Sequence, residues 1–260
     1  MPSKIDNPLG IISIDHLEIC LESLQSKTID LFYTLGFAKT YQHADEELYS
    51  QGSIHFLCTQ KKNSHAQRYF QKHGEGVSKI SFLVEDAKAA LNEAKRRGAV
   101  ITEELQEIQS EFGPYRFGSI QGFGDVYNEF IERPRSYFRP WLGQVSHDPR
   151  AKKLSSPSAR IDHLTNNVPF GEMTKWVKFY EDIFGMKETR YFDIKGKATG
   201  LHSKVVQLAN GAVIIPINEP SGEKTKSQIQ EFLDLHKGPG VQHIALTTTN
   251  IISTVGELKE

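Results

Sequence analysis

The sequence predicts an α+β protein of four βαβββ modules that pair into two domains, with the last module incomplete. The chain has 260 residues, which is more than one compact domain usually holds. Residues 14–17, Ile-Asp-His-Leu, recur as residues 161–164, and residues 76–82 are similar in sequence to residues 240–246. Because internal repeats mark repeated structural units, these two pairs of segments indicate four module starts.

Each module start is followed by a pattern typical of a strand, a short cap and an amphipathic helix that a glycine ends. In the second module, Asp86 is positioned to cap such a helix and Gly98 to end it. The apolar residues on one face of this helix are Ala87, Ala90, Leu91 and Ala94. Strand candidates after the helices are residues 37–42, 48–51, 54–59, 100–109, 115–121, 126–132, 188–193, 203–208 and 213–217.

A connection between the two domains is predicted where proline and serine concentrate. Residues 133–160 contain four prolines and a run of serines, a composition typical of a linker. We therefore expect a first domain at residues 1–140, a linker at 141–158 and a second domain at 159–260.

Composition excludes several classes of protein. The hydrophobic content of 38% and the formal net charge of −1 are those of an ordinary globular protein, and the positive residues are scattered, so no nucleic-acid partner is expected. No run approaches the roughly 20 apolar residues that cross a bilayer, so we expect no membrane association and a cytoplasmic location. Cys20 and Cys58 lie in apolar stretches and are interpreted as core residues.

Two histidines occupy equivalent positions of the repeat in the second domain. They are His163 in the third module and His243 in the fourth, and the matching positions of the first domain hold His16 and Lys79. Imidazole is a common metal ligand, whereas a lysine ammonium has no free lone pair at neutral pH. The alternative, that a strand histidine is only a hydrogen-bonded structural residue, is the better interpretation for His16.

Paired βαβββ modules resemble the vicinal oxygen chelate superfamily, whose glyoxalase-like fold forms an open cup of curved sheet around a metal. The resemblance implies that His163 and His243 face each other in the second cup. The first cup, with His16 and Lys79, is expected to hold no metal, and Glu129 is interpreted there as a structural partner of Lys79. The remaining histidines are expected at the surface: His43, His55, His65, His73, His147, His202 and His236.

Three further segments resemble the 4-hydroxyphenylpyruvate dioxygenase family, and its bacterial, legiolysin-like members in particular. They are residues 216–220, 226–231 and 240–246, in that order after residues 161–163. The resemblance implies an oxidoreductase of tyrosine and phenylalanine catabolism that converts 4-hydroxyphenylpyruvate and O₂ into homogentisate and CO₂. It further implies Fe(II) held by His163, His243 and a glutamate, and a homo-oligomer in the intact parent.

The same resemblance implies that four residues bind the substrate with neutral hydrogen-bonding groups: Ser203, Asn218, Gln228 and Gln242. Neutral groups orient a phenol and a 2-oxo acid without competing with the metal for the carboxylate. Two alternatives stay open, since Asn218 is also a common turn residue and Gln228 also suits a solvated position on a helix.

The sequence departs from the family pattern at its end. The second module runs 55 residues beyond Lys79 to Pro134, whereas the chain runs only 17 residues beyond His243. We therefore expect a C-terminally truncated chain that lacks the third ligand, a glutamate, and is inactive by itself. The last segment is predicted to be a helix that Asn250 caps, with Ile251, Val255 and Leu258 facing the core.

Two alternatives to this function remain open at the level of sequence. One is 4-hydroxymandelate synthase, which resembles the dioxygenase closely and uses the same substrate and metal. The other is a non-catalytic binding module of the chelate fold, against which the pair His163 and His243 argues.

Overall fold

A computed structural model describes residues 7–134, 138–146, 148–195, 200–221 and 226–259. Its strands form two sheets, of nine and five strands, and each helix follows a strand in the sequence. The predicted α+β class is therefore confirmed. His147, one of the histidines expected at the surface, lies outside the described residues. None of the helices within the described ranges is long and apolar enough to cross a membrane.

The larger sheet contains every strand that precedes residue 145, in the spatial order β6-β7-β8-β5-β1-β4-β3-β2-β9. These strands are β1 (Ile11–Cys20), β2 (Ala38–His43), β3 (Glu46–Gln51), β4 (Ile54–Thr59), β5 (Gly76–Val84), β6 (Ile101–Ser110), β7 (Gly113–Gln121), β8 (Tyr127–Glu132) and β9 (Gly143–Gln144). Its helices are α1 (Lys27–Thr34), α2 (His65–His73) and α3 (Ala87–Arg96).

The smaller sheet has the order β11-β12-β13-β10-β14. Its strands are β10 (Ser158–Asn167), β11 (Lys187–Lys195), β12 (Gly200–Gln207), β13 (Ile214–Pro220) and β14 (Gly240–Thr248), and its helices are α4 (Met173–Phe184), α5 (Gln228–His236) and α6 (Ile251–Lys259). The two sheets divide the chain near the predicted linker, while the exact domain limits stay a prediction.

The sequence repeat is also a repeat of strand pairing. β1 pairs antiparallel with β5 and parallel with β4, and β10 pairs in the same way with β14 and β13. A shift of register lies just before the histidine in both copies, between Ile14 and His16 and between Ile161 and His163. Such bulges change the direction of side chains and are frequent beside functional sites. His16 and His163 therefore stand in equivalent backbone settings.

A shared aromatic core joins the two halves. Phe184, the last residue of α4, is fully buried, and its ring centroid lies 5.5 Å from that of Phe82 and 6.1 Å from that of Phe130. Because Phe82 and Phe130 belong to the larger sheet, α4 packs against both halves. Apolar burial is the main stabilising contribution in such a contact.

Two predictions about side-chain exposure are wrong. His73 and His236 are buried rather than at the surface, because α2 and α5 pack together with the two rings stacked 4.3 Å apart. In α6, Asn250 does cap the helix through Ser253 N–H, but Ile251 is 62% exposed and Val255 also points outward. Thr254 is the buried residue instead, because its hydroxyl donates to the Ser156 carbonyl at 2.7 Å.

Candidate metal centre

His163 and His243 lie side by side on neighbouring strands, β10 and β14. His163 is opposite Ala245 and His243 is opposite Thr165, so the two histidines form a diagonal pair on one face of the sheet. Their ring centroids are 5.6 Å apart and their planes stand at 75°. The structure thus brings together the two residues that the repeat singles out.

Each of these rings is held by a neighbour in the sequence. His163 Nδ1 is 2.8 Å from an Asp162 carboxylate oxygen, and His243 Nδ1 is 2.9 Å from the Gln242 amide oxygen. Both partners accept hydrogen bonds, so Nδ1 carries the proton in both rings and Nε2 keeps its lone pair. An imidazole with Nδ1 fixed in this way is the usual arrangement of a metal-ligating histidine.

The free nitrogen of His243 has a local partner in this structure. Thr165 Oγ1 lies 2.9 Å from His243 Nε2, and with Nδ1 protonated the threonine hydroxyl is the donor. Partial burial, followed by the charge of His163, lowers the pKa of His243. Neutral imidazole, the form that binds a metal, is therefore favoured near pH 7.

Two of the proposed substrate residues form a neighbouring row. Ser203 on β12 is directly opposite Asn218 on β13, and Asn218 is in register with Asn167 on β10. Asn167 follows His163 by four positions on the same strand, which puts both on one face. The Asn167 amide is fully buried, and among the described residues neither of its polar atoms has a hydrogen-bond partner.

Thr165 and Asn167 were not predicted as site residues, although their alternation with His163 was a usable signal. Gln242 was expected to bind substrate, and in this structure its side chain holds His243. Gln228 begins α5, where its side chain is exposed and no hydrogen bond joins it to any other described residue. The structure thus groups Ser203 and Asn218 but does not join Gln228 to them.

The first cup has a different centre. Lys79 Nζ lies 3.2 Å from Glu129 Oε1 and 3.7 Å from Glu18 Oε2, which confirms that Glu129 is a partner of Lys79. Arg139 Nη2 is 3.1 Å from Glu129 Oε2 and 3.0 Å from His16 Nε2. The lone pair of His16 therefore accepts from a guanidinium, and in the first cup protein charges occupy the position that a metal would take.

Burial and charge set the protonation of this network. Burial raises the pKa of Glu129, but the charges of Lys79 and Arg139 outweigh it and lower the pKa to about 2. Burial opposes the charged form of Lys79 too, and its two carboxylate partners nevertheless raise its pKa. Burial lowers the pKa of His16 even though Asp15 accepts from Nδ1 at 2.9 Å. The centre is thus an ionised, closed set of ion pairs around a neutral imidazole.

The second cup fits a metal with two donors. Two imidazoles that carry the proton on Nδ1 suit Fe(II) and other divalent transition metals, and at His243 the metal would replace the Thr165 hydroxyl at Nε2. Among the described residues, no third histidine, cysteine or carboxylate joins them to complete a cluster of three. The described residues therefore provide an incomplete ligand set.

Comparison with known proteins agrees with this plan. A family model described as hydroxyphenylpyruvate dioxygenase, N-terminal, matches residues 5–137, and one for the glyoxalase/bleomycin resistance protein/dioxygenase superfamily matches residues 160–260. Hemolysin VllY of Vibrio vulnificus is 37% identical over 98% of this chain and 71% of its own length. The 4-hydroxyphenylpyruvate dioxygenases of Pseudomonas sp. (strain P.J. 874) and Legionella pneumophila are 35% and 33% identical, with the same coverage.

The chain belongs to the 4-hydroxyphenylpyruvate dioxygenase family. The predicted resemblance and the predicted enzyme class are thereby confirmed. Among solved structures, a triple mutant of 4-hydroxymandelate synthase from Streptomyces coelicolor superposes with a TM-score of 0.83 at 21% identity, over 96% of this chain and 75% of that one. At that identity the likeness supports the fold alone, which is the glyoxalase-like fold that the repeat predicted.

Proposed function

We propose that the second cup is the active site of a dioxygenase that holds Fe(II) through His163 and His243 and acts on 4-hydroxyphenylpyruvate and O₂ to give homogentisate and CO₂. The observation that carries the proposal is the pair of imidazoles whose Nδ1 atoms are held by Asp162 and Gln242. Relatives named 4-hydroxyphenylpyruvate dioxygenase support the choice of substrate. A role in tyrosine breakdown, a cytoplasmic location and a homo-oligomeric assembly belong to the same proposal.

The first cup indicates where the third donor of the second cup would stand. Glu129 lies on β8, which pairs with β5, and it is in register with Ser81. In the repeat, Ser81 corresponds to Ala245, and both stand opposite the first-strand histidine of their cup. Among the described strands β14 has a neighbour on one side only. We therefore propose that a carboxylate opposite Ala245, on a strand paired with that free edge, completes the site.

Fe(II) in this cup would supply the redox chemistry that dioxygen requires, with open positions for the 2-oxo acid. The residues of the chain would bind and orient. Asp162 and Gln242 keep the proton on Nδ1 of each histidine, and the neutral row of Ser203, Asn218 and Asn167 offers hydrogen bonds to an uncharged part of the substrate. Because the row adds no charge, it leaves the substrate carboxylate to the metal.

Metal loading tests the assignment of the cups. The chain and its variants would be loaded anaerobically with Fe(II), and bound iron measured after gel filtration. We expect His163→Ala and His243→Ala each to lower iron binding strongly, while His16→Ala and the exposed-site control His43→Ala bind as the parent does. Iron lost from His16→Ala but kept by His163→Ala would contradict the assignment.

Turnover tests the incompleteness of the ligand set. Because two neutral imidazoles lack the anionic donor, we expect this 260-residue chain to be inactive by itself. Supplied with Fe(II), ascorbate and 4-hydroxyphenylpyruvate, it should produce neither oxygen uptake nor homogentisate above a control without protein. Substrate-dependent turnover that His243→Ala abolishes would refute this expectation.

We propose 4-hydroxymandelate synthesis as a second candidate function, because an enzyme of that name shares the fold of this chain. Both functions use the same cup, so the ligand assignments above serve either. Product analysis decides between them once a chain with a third donor turns over, since homogentisate and 4-hydroxymandelate separate by chromatography.

A further inference from the structure

The first cup contains a cavity that its ion-pair network does not fill. The cavity has a volume of about 370 Å³, within the range of small-molecule sites. Its lining includes Lys79 and Glu129 of the network and the aromatic residues Trp141 and Tyr127. We call this space the first-cup cavity. It is separate from His163 and His243, neither of which lines it.

The charges of the cavity are unevenly placed. The carboxylates at its wall and floor are Glu18, Glu46, Glu103 and Glu129, whereas the buried cations are only Lys79 and Arg139. Both cations are already paired with Glu129. Among the less exposed residues of the lining, four carboxylates therefore stand against two cations.

Two of these carboxylates carry the excess. Within the described part of the chain, neither Glu46 nor Glu103 has a lysine, arginine or histidine nitrogen at ion-pair distance. Glu46 is only 7% exposed and has the Trp141 indole N–H at 3.0 Å, while Glu103 has the Ser119 hydroxyl at 3.5 Å. Burial raises the pKa of Glu103, and the longer-range charge of Lys79 opposes that shift in part. Since neither carboxylate has a cation at ion-pair distance, a cationic ligand group would stabilise both.

The rim of the cavity has the opposite sign. Lys61, just after β4, and Arg68, on α2, line the cavity and are exposed, and neither forms an ion pair with another described residue. Trp141 and Tyr127 also line the cavity, and each ring already has one neighbour, Arg139 at 5.1 Å over Trp141 and His65 stacked at 3.5 Å on Tyr127. A ligand that satisfies all of these groups is positive at its inner end, negative at its outer end and has an apolar body.

We propose that the first-cup cavity binds a small zwitterion of the amino-acid type, with its ammonium group between Glu46 and Glu103 and its carboxylate at Lys61 and Arg68. The ammonium neutralises the carboxylates of Glu46 and Glu103, and the apolar body lies against the aromatic residues of the lining. A simple anion is disfavoured, because it would meet the negative interior. A simple amine would leave the rim cations without a partner.

Calorimetric titration of the full 260-residue chain tests the proposal with matched probes. These are L-leucine with isoamylamine and 4-methylpentanoate, and L-phenylalanine with phenethylamine and 3-phenylpropanoate. Each amine lacks the carboxylate and each acid lacks the ammonium. We expect at least one amino acid to bind about tenfold or more tightly than its own amine and acid, as for the loss of one charged hydrogen-bonding group. Failure of both amino acids to bind, or equal binding of the acid, overturns the proposal.

Variants assign the site. Glu103→Gln is expected to weaken binding of the amino acid about tenfold, while Glu104→Gln, an exposed neighbour on β6 that does not line the cavity, leaves it unchanged. At the rim, Arg68→Gln should weaken binding, and Lys62→Gln should not. Unfolding midpoints equal to that of the parent confirm that each variant is folded. Binding that survives in Glu103→Gln and Arg68→Gln, or that His243→Ala abolishes, contradicts the proposal.

Discussion

The two cups share one backbone plan and differ in what occupies the centre. In the first cup, His16 is fully buried, its Nε2 accepts from Arg139 at 3.0 Å, and Lys79 Nζ stands 3.2 Å from Glu129. In the second cup, the side chain of His163 is 28% exposed and faces the ring of His243. A lysine in place of one histidine, together with the arginine, turns a metal-type centre into a closed ion-pair cluster. Equivalent strand positions therefore place the side chains at the centre of each cup. The identity of those side chains determines whether the centre suits a metal or holds a protein cation.

The largest expected effect is on the stability of the first cup. Glu129→Gln would leave Lys79 and Arg139 buried with one carboxylate fewer, and removing one partner of a buried ion pair costs about 3–5 kcal/mol. Urea unfolding of the chain should show this loss in the free energy of unfolding. His163→Ala, in the more open second cup, should change it by less than about 1 kcal/mol. Similar losses in both variants would mean that the two centres are equally structural.

The second prediction concerns acid. The pKa of Glu129 is lowered to about 2 from an ordinary value of 4.5, so its contribution to stability is complete above pH 4.5 and is lost as the pH falls toward 2. Over this window the free energy of unfolding should fall by up to about 1.4 kcal/mol per pH unit for this one proton. Unfolding curves at several pH values should be steeper in pH for the parent than for Glu129→Gln. Equal slopes would show that other carboxyl groups dominate.

The two cups are predictable from the sequence because the residues that mark them are close together in the chain and occur twice. His163, His243, His16 and Lys79 stand at equivalent repeat positions, and β-strand pairing then brings each pair together in space. Arg139 was missed, because it lies on the chain after β8 and reaches Glu129 only through the fold. Because Arg139 lies outside the repeat, no sequence pattern indicates which residue it contacts.

Exposure was predicted less well than position, and for a specific reason. His73 and His236 sit in helices with ordinary polar neighbours, and only the packing of α2 against α5 buries them. In α6 the apolar Ile251 points outward, while Thr254 turns inward to the Ser156 carbonyl. In both cases a contact between segments distant in sequence decides which face is buried, and the apolar pattern of a single helix does not indicate that contact.

The third prediction tests the contact between the halves that hold the two cups. His73 Nδ1 lies 2.6 Å from the His236 carbonyl oxygen and Nε2 lies 2.8 Å from Asp125 Oδ2. Both partners accept, so His73 makes both bonds only as the imidazolium. We expect His73→Gln to lower the free energy of unfolding by about 1–3 kcal/mol and to speed hydrogen exchange in α5. The exposed-site control His43→Gln should do neither. If hydrogen exchange in α5 were unchanged in His73→Gln, this contact would not be what holds the two halves together.

The smallest expected effect is on metal affinity in the second cup, and it has opposite signs at two neighbours of His243. Gln242 accepts from Nδ1 and so keeps the lone pair on Nε2, whereas the Thr165 hydroxyl donates to that same lone pair and competes with a metal for it. Gln242→Ala should therefore weaken binding of Co(II), an optical probe for divalent metals, because the tautomer is no longer fixed.

Thr165→Val should instead tighten Co(II) binding, because it removes the competing donor without changing the ligands. The loss of one neutral hydrogen bond is worth about 0.5–1.5 kcal/mol, so we expect a gain of about twofold to tenfold in affinity. Thr165→Ser keeps the hydroxyl and is the matched control, with affinity close to that of the parent. Titration followed by the visible absorbance of Co(II) measures all of these variants. In the first cup, Ser81→Ala removes the hydroxyl that lies 3.1 Å from His16 Nε2 and should add no second Co(II) site, because Lys79 and Arg139 remain there. If Thr165→Val bound Co(II) more weakly than the parent, Thr165 would have to orient His243 for the metal, and the donor assigned to this hydrogen bond would be wrong.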